Sequence, residues 1–404
     1  MTAARLASVL MATLAAAGLA GGGLTACARP PEPRSAAAQG QMMPSVSAGS
    51  FSTGFSVMRR LKALGRIGTG KIGVLLPDTT TSPRYTEFDA PYLARALQEA
   101  GLSRSQVIIS NAQGSDATQQ AQAESDMTQG ATVLLLDPID SGVGASIESA
   151  AASLGVKVID YDRMTLGGTR AFYVSFDNVA VGALMARGLV NCIRAWHVRH
   201  PDVLVMRGAP TDNNATLFAR GYDQVLRPYF ASRSYTDAGR PPGTWNPTTA
   251  QTTFEEQYTN NNKITAVLTP NDDTAGTVIS YLKTLNTPPR AVPTTGQDAT
   301  PAGLANILSG YQCGTVYKPI YLEAQAAAAL TLYLRAGLVP PASLVNGTTF
   351  DPTGRVRVPS VLLRPIWVTA ASMAATVIRD RFVTAAQLCG GSLRTACRRA
   401  RIAG

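Results

Sequence analysis

The sequence predicts an α/β chain of two lobes, each a parallel sheet covered by helices. Three observations lead there. Short apolar runs alternate with helix-patterned stretches from about Lys71 onward. The runs lack polar alternation, as strands buried on both faces require. The second half of the 404 residues repeats the theme of the first, and that length suits two domains better than one broad sheet. The first-half runs are Ile72 to Leu76, Val107 to Ser110, Val133 to Leu136 and Val156 to Tyr161. Those of the second half are Val203 to Met206, Ala266 to Thr269, Val292 to Thr295 and Thr315 to Tyr317. Between them, Phe88, Tyr92, Leu93, Ala96 and Leu97 recur at the spacing of one helix face. Thr300-Pro301 reads as an N-cap hydroxyl followed by a first-turn proline. No repeat of about 20–50 residues is evident, which excludes a solenoid.

The N-terminus has the order of an export signal: Arg5, an apolar stretch from Leu6 to Leu19, then small residues. The apolar stretch is short and diluted by Gly21, Gly22 and Gly23, so a permanent membrane span is not expected. Leu24-Thr25-Ala26-Cys27 resembles the lipobox of bacterial lipoproteins. That resemblance implies removal of residues 1–26 and a lipid on Cys27, anchoring the chain to the outer face of the cytoplasmic membrane in the cell envelope. Residues 27–66 are rich in Ala, Pro, Ser, Gly and Gln and read as a flexible tether, with order beginning near Lys71.

The chain is 45% apolar and 15% charged, which suits packed domains. Its formal charge of +10 is scattered, with one dense run at Arg398, Arg399 and Arg401. A solvated basic tail, not a nucleic-acid site, is the expected meaning of that run. Besides Cys27, an oxidising compartment would pair Cys192, Cys313, Cys389 and Cys397, which allow three connectivities. Cys389 and Cys397 lie close together with Gly390 and Gly391 permitting a turn, so Cys389–Cys397 with Cys192–Cys313 is the preferred set. No CxxC pair suggests zinc.

In open parallel sheets, ligands bind beyond the carboxyl ends of the strands. Reading just past each run gives Asp78 and Arg84-Tyr85, then Tyr161-Asp162-Arg163, Thr211-Asp212-Asn213-Asn214, Asn271-Asp272, Gln297-Asp298 and Lys318. A sugar hydroxyl both donates and accepts, so it needs carboxylates, cations and amides together. Charged partners make the stronger bonds that offset stripping a sugar of water. Tyr85 and Trp245 could face the C–H side of a ring. Each residue alone could equally be a helix cap; the repetition at six strand ends carries the argument.

Tyr161-Asp162-Arg163-Met164, Ser175-Phe176-Asp177-Asn178, Asp212-Asn213-Asn214-Ala215, Gly296-Gln297-Asp298 and Thr315-Val316-Tyr317-Lys318-Pro319 resemble, in order, the D-xylose-binding family of type I periplasmic binding proteins. The resemblance runs from about Lys71 to about Phe382. It implies two Rossmann-like lobes joined by three hinge crossings near Phe176–Asn178, Lys318–Pro319 and Pro359–Leu362. One lobe would comprise 67–177 with 319–358, the other 178–318 with 359–390, leaving 391–404 as a tail. It implies a monosaccharide ligand, an aldopentose such as D-xylose, held by Arg84, Asp162, Arg163, Asn213, Trp245, Asn271, Asp298 and Lys318, with Tyr85 stacking. Asn214 could exchange roles with Asn213. Three cations against two anions leave this set one positive charge. Implied too are a monomer, domain closure about the hinge, and delivery to the permease and ATPase subunits of an ABC importer, with no cofactor. Two departures bear on the choice of sugar: Tyr85 stands where the family commonly has tryptophan, and Ser232 to Pro242 is longer and differently composed.

Three other readings are weaker, and a fourth stands level. A sugar-active enzyme could use Asp137 with Asp140 or Asp272 with Asp273, but adjacent acids on loops are usually caps, and no nucleophile elbow, P-loop or HExxH motif is present. His197 and His200 could share a metal, yet Pro201 ends the helix behind them. A sugar-responsive repressor needs an N-terminal helix-turn-helix, where this chain has its export signal. A sugar sensor feeding a chemoreceptor is not distinguished from an importer component.

Overall fold

The computed structural model describes residues 46–402; Cys27, the export signal and the first part of the expected tether, residues 27–45, lie outside them. The described chain begins with two short helices, α1 (Ser56–Arg60) and α2 (Lys62–Ile67). There follow β1 (Lys71–Leu76), α3 (Ala90–Glu99), β2 (Val107–Asn111), α4 (Asp116–Thr128), β3 (Ala131–Leu136), α5 (Ser141–Ser153), β4 (Lys157–Tyr161) and β5 (Phe172–Phe176). The chain then crosses into a second lobe: α6 (Asn178–Ala195), β6 (Asp202–Val205), α7 (Asn213–Ala231), β7 (Thr236–Gly239), α8 (Pro247–Asn260), β8 (Ala266–Leu268), α9 (Asp272–Thr284), α10 (Pro301–Ser309) and β9 (Thr315–Tyr317). It returns for α11 (Ile320–Arg335), β10 (Gly347–Asp351) and β11 (Val356–Leu363). It ends in the second lobe with β12 (Ile366–Val368), α12 (Ala385–Leu388) and α13 (Arg394–Arg399).

The first lobe carries a seven-stranded sheet in the order β10-β11-β5-β4-β3-β1-β2, parallel except for the edge strand β10. Val74 sits opposite Ile109 on one side and Leu135 on the other, an all-apolar row that only helices on both faces can keep dry. The second lobe pairs β7-β6-β8 in parallel. Bridges from Val267 to Thr294 and from Gln297 to Val316 then carry the sheet to β9 and the antiparallel β12. The run expected as a strand at Val292–Thr295 is reduced to those bridges, since Pro293 has no N–H to donate and accepts from Val267 through its carbonyl. Thr300 caps α10 by accepting from the Gly303 N–H, with Pro301 in the first turn.

Three boundaries differ from expectation. The tether does not extend to residue 66: Val46, Phe51, Phe55, Val57, Met58, Leu61 and Leu64 are buried in the main apolar core with α3 and α11 residues. Its Ala, Ser and Gly content masks this apolar spacing. Pro359–Leu362 is not a crossing but part of β11, whose Ser360–Leu363 pair with Tyr173–Phe176; the chain changes lobe at Arg364-Pro365, between β11 and β12. Residues 391–402 are not a loose tail, because Cys397 and Ile402 are buried against Leu388, Phe382 and Val383.

Two disulfides brace the second lobe: Cys192 on α6 to Cys313, with Cα atoms 6.1 Å apart, and Cys389 to Cys397, 5.8 Å apart. His197 and His200 follow α6 in left-handed backbone, φ 56° and 49°. No group of three or more metal-ligating side chains occurs among the described residues, and no helix there is long and apolar enough to cross a membrane.

Helices α6 and α7 approach so closely that a Cβ on Gly221 would lie 2.1 Å from the Val179 carbonyl oxygen, and one on Gly182 2.0 Å from that of Phe218. Both neighbours are backbone and cannot rotate aside. Gly221→Ala is therefore expected to lower stability by about 1–3 kcal/mol, measured as a fall in the urea midpoint at unchanged m-value.

Candidate functional site

The carboxyl ends of the strands from both lobes meet at a single cavity of about 20 Å³. From the first lobe come Thr81, Ser82, Arg84 and Tyr85 after β1, and Asp162 and Arg163 after β4. The second lobe supplies Asp212, Asn214 and Phe218 around the start of α7, Trp245 before α8, Asn271 before α9, Gln297 and Asp298, and Lys318 after β9. Of the residues expected there, Arg84, Tyr85, Asp162, Arg163, Asn214, Trp245, Asn271, Asp298 and Lys318 all line the cavity. Asn213 does not: it faces a separate groove beside Tyr173 and Phe350. The helix beginning at residue 213 turns its first side chain away from the cleft and its second inward. Thr81, Ser82 and Phe218 line the cavity without having been singled out in the sequence, and Asp212 and Gln297, read there at strand ends but not assigned to the ligand, line it too.

Arg84 is the centre of the arrangement, and Asp89 holds it. The backbone between them makes a wide π-helical turn, Tyr85–Asp89, which brings the residue five positions on back over the arginine. Arg84 Nε and Nη2 donate to the two Asp89 oxygens at 2.9 and 2.8 Å. Nη2 also donates to Glu323 Oε2 at 3.1 Å, and Nη1 to Asp162 Oδ1 at 2.9 Å. A guanidinium has five N–H donors, so one Nη1–H remains, on the side where Asp298 Oδ1 lies 3.9 Å away. Tyr161 Oη tightens the support by donating to Asp89 Oδ1 at 2.5 Å.

A second node is Asp212. Its Oδ1 caps α7 through the Asn214 N–H at 2.8 Å, while Oδ2 accepts from the Trp245 indole N–H at 3.1 Å. Arg163 Nε reaches across from the first lobe to the same Oδ2 at 3.3 Å. Arg163 Nη2 donates to Tyr85 Oη at 2.9 Å. Asn271 is both cap and cleft residue: Oδ1 accepts from the Thr274 N–H, and Nδ2 donates to the Thr81 carbonyl in the other lobe at 3.2 Å. Asn214 Nδ2 likewise crosses to the Asp162 carbonyl at 3.0 Å. Asp162 and Asp298 both sit in left-handed backbone, φ 57° and 85°, strain of the kind that collects where a side chain must be aimed.

The charge balance differs from the one positive charge expected. Arg84, Arg163 and Lys318 are enclosed by Asp89, Asp137, Asp162, Asp212, Asp298 and Glu323. The extra acids were not anticipated because Asp89 and Glu323 come from helical stretches and Asp137 from behind the cavity wall. Burial pushes the Glu323 carboxyl well above the usual range against the pull of Arg84. Burial, then the field of Asp162, does the same to Asp137. At Asp162, burial acts upward but Arg84, Lys318 and Arg163 outweigh it, holding the carboxyl low and ionised. Burial raises Tyr85 well above an ordinary phenol, so its hydroxyl stays protonated. The acid pairs that could have suggested hydrolysis serve elsewhere: Asp140 caps α5, and Asp272 is tied into the second-lobe core.

Residues 72–338 match the periplasmic binding protein domain. The chain is 39% identical over 278 residues to the D-xylose-binding periplasmic protein of Escherichia coli strain K12, covering 68% of this chain and 81% of that one. It is 35% identical over 282 residues to the protein of that name from Haemophilus influenzae, covering 69% and 81%. A carbohydrate transporter solute binding protein from Chloroflexus aurantiacus, solved in complex with D-glucose, superposes with a TM-score of 0.69 at 29% identity, covering 78% of this chain and 97% of that one. The chain thus belongs to the periplasmic binding protein family, the solute-binding proteins of ABC transport systems, which bind and do not catalyse.

Beneath Asp298, Asp272 accepts from Gln312 Nε2 at 2.7 Å and from the Thr300 N–H at 2.8 Å. Burial nevertheless pushes its carboxyl up to about 8. The folded chain then keeps a proton that the unfolded chain releases above about pH 4. Asp272's contribution to stability is therefore present at low pH, falls as pH rises from about 4 through about 8, and is constant beyond. Asp272→Asn should flatten that part of the slope, measured by urea unfolding across the pH range.

Proposed function

We propose that the cavity binds one neutral monosaccharide, an aldopentose with D-xylose the first choice, and that closure of the lobes on it presents the chain to an ABC importer. The observation that carries this is a pair of buried acceptors. Gln297 Oε1 accepts no hydrogen bond from the described residues, and Asp298 Oδ1 is met there only by ion pairs, with Lys318 Nζ at 3.1 Å and Arg84 Nη1 at 3.9 Å; both residues line the cavity. Buried acceptors left without donors are costly, and hydroxyls supply donors. The remaining Arg84 N–H beside Asp298 Oδ1 offers a donor next to an acceptor, the pair one hydroxyl uses in full. Arg84, Arg163 and Lys318 are already paired with Asp162, Asp212 and Asp298, so an acidic sugar would add a negative charge that no cation is left to answer. Tyr85, Phe218 and Trp245 provide flat apolar surface for the C–H face of a ring. The names of the two most similar relatives described above support D-xylose; the Chloroflexus neighbour's bound D-glucose makes a hexose the competing choice.

The cavity is walled by residues of both lobes, so the ring enters by separation of the lobes. A ligand touching Arg84 and Asp162 on one side and Asp298 and Trp245 on the other stabilises the closed form over the open one, and that difference alone shifts the population. The reading also places the chain outside the cytoplasmic membrane, anchored by lipid on Cys27, as a monomer.

Calorimetry against a panel of pentoses, hexoses and uronic acids is the test. Saturable binding of a neutral monosaccharide at micromolar or tighter affinity is expected, with uronic acids rejected; no binding across the neutral sugars would end the reading. Asp298→Ala and Arg163→Ala should each weaken binding by about 2–5 kcal/mol, measured in the same titrations. Small-angle scattering should show a smaller radius of gyration with the bound sugar than without it.

A further inference from the structure

A second cavity of about 480 Å³ lies at the seam between the lobes and shares no lining residue with the sugar cavity. Its walls from the first lobe are Thr53 to Phe55, Tyr92 and Arg95 on α3, and Tyr321 on α11. Arg379, Asp380 and Arg381, which follow β12, close it from the second lobe. Asp380 is fully engaged: Oδ1 accepts from Arg379 Nε at 2.9 Å, and Oδ2 from the hydroxyls of Tyr317 and Tyr321 at 3.3 Å each. Arg95 and Arg381 pair with no carboxylate among the described residues; Arg95 lies over the Phe55 ring, 4.2 Å from its centroid. Phe55 and Arg381 both sit in left-handed backbone at φ 55°, which costs a non-glycine residue on the order of 1–3 kcal/mol and is held only by surrounding structure.

We propose that this cavity is a second binding site, for a small molecule carrying a phosphate or similar oxyanion. Arg95 and Arg381 offer planar forks that match such a group in pairs of hydrogen bonds, and the Tyr92 and Tyr321 rings offer apolar wall beside it. Because Arg95 belongs to one lobe and Arg381 to the other, an anion between them favours the closed arrangement. By linkage, the factor by which it tightens sugar binding equals the factor by which sugar tightens its own.

The purified chain, without sugar, is titrated with inorganic phosphate in an oxyanion-free buffer. A saturable heat is expected, with affinity lowered about tenfold in Arg95→Gln and in Arg381→Gln. Both variants should bind sugar as the parent does in the absence of phosphate, which shows that they fold. Repeating the titration with sugar bound should raise phosphate affinity. Binding to phosphatidylglycerol vesicles over phosphatidylcholine vesicles, lost in both variants, with no heat from free phosphate, assigns the site to a lipid headgroup. No saturable heat and no such vesicle preference, or equal affinity in parent and variants, overturns the proposal. Because phosphate is read without sugar, this outcome is independent of the cleft's own ligand.

Discussion

Everything in the cleft depends on one buried guanidinium whose charge is almost wholly answered by protein. Arg84 is 1% exposed, and three carboxylates take four of its five donors. An arginine placed so deep without partners would carry a desolvation cost of several kcal/mol; Asp89, Asp162 and Glu323 offset it and in doing so fix the guanidinium plane. The same carboxylates would be unfavourable together without the cation between them. The guanidinium that lines the cavity is therefore fixed by the protein's own groups, and a ligand meeting it there would find little side-chain entropy left to lose.

Asp212 plays the matching part on the opposite wall. Helix cap, indole acceptor and partner of Arg163, it links the α7 terminus, Trp245 and the first lobe in one carboxyl group. Burial lifts its carboxyl above the ordinary range even so, a sign that the desolvation is only partly repaid. Asn271 and Asn214 show the same economy, each anchored within its own lobe or hinge while reaching across to the other's backbone.

Much of this was legible in the residues. Strands such as Ala131–Leu136 are apolar throughout because both faces are covered, so composition alone marks them. Phe172–Phe176 and Val356–Leu363 were not read, since Ser175, Pro359 and Ser360 break the apolar run; their partners lie far off in sequence and the pairing decides them. The side chains after the strands were found because the sheet's polarity fixes where they point. Asp89 and Glu323 were not, for on a helix a buried acid has the same spacing as an exposed one, and only the folded chain shows Arg84 waiting. Asn213 and Asn214 could be separated only by the phase of α7, which one residue of uncertainty reverses.

The link between Cys192 and Cys313 closes a loop with a sequence separation of 121. It joins the helix that opens the second lobe to the segment just ahead of the strand that leaves it. The lobe is assembled from pieces distant along the chain, and this bond ties its long central piece shut near both doorways. Strain applied to the molecule therefore cannot unravel that piece from its ends. The chain passes between the lobes at residues 177, 318 and 364, all outside the loop that this bond closes.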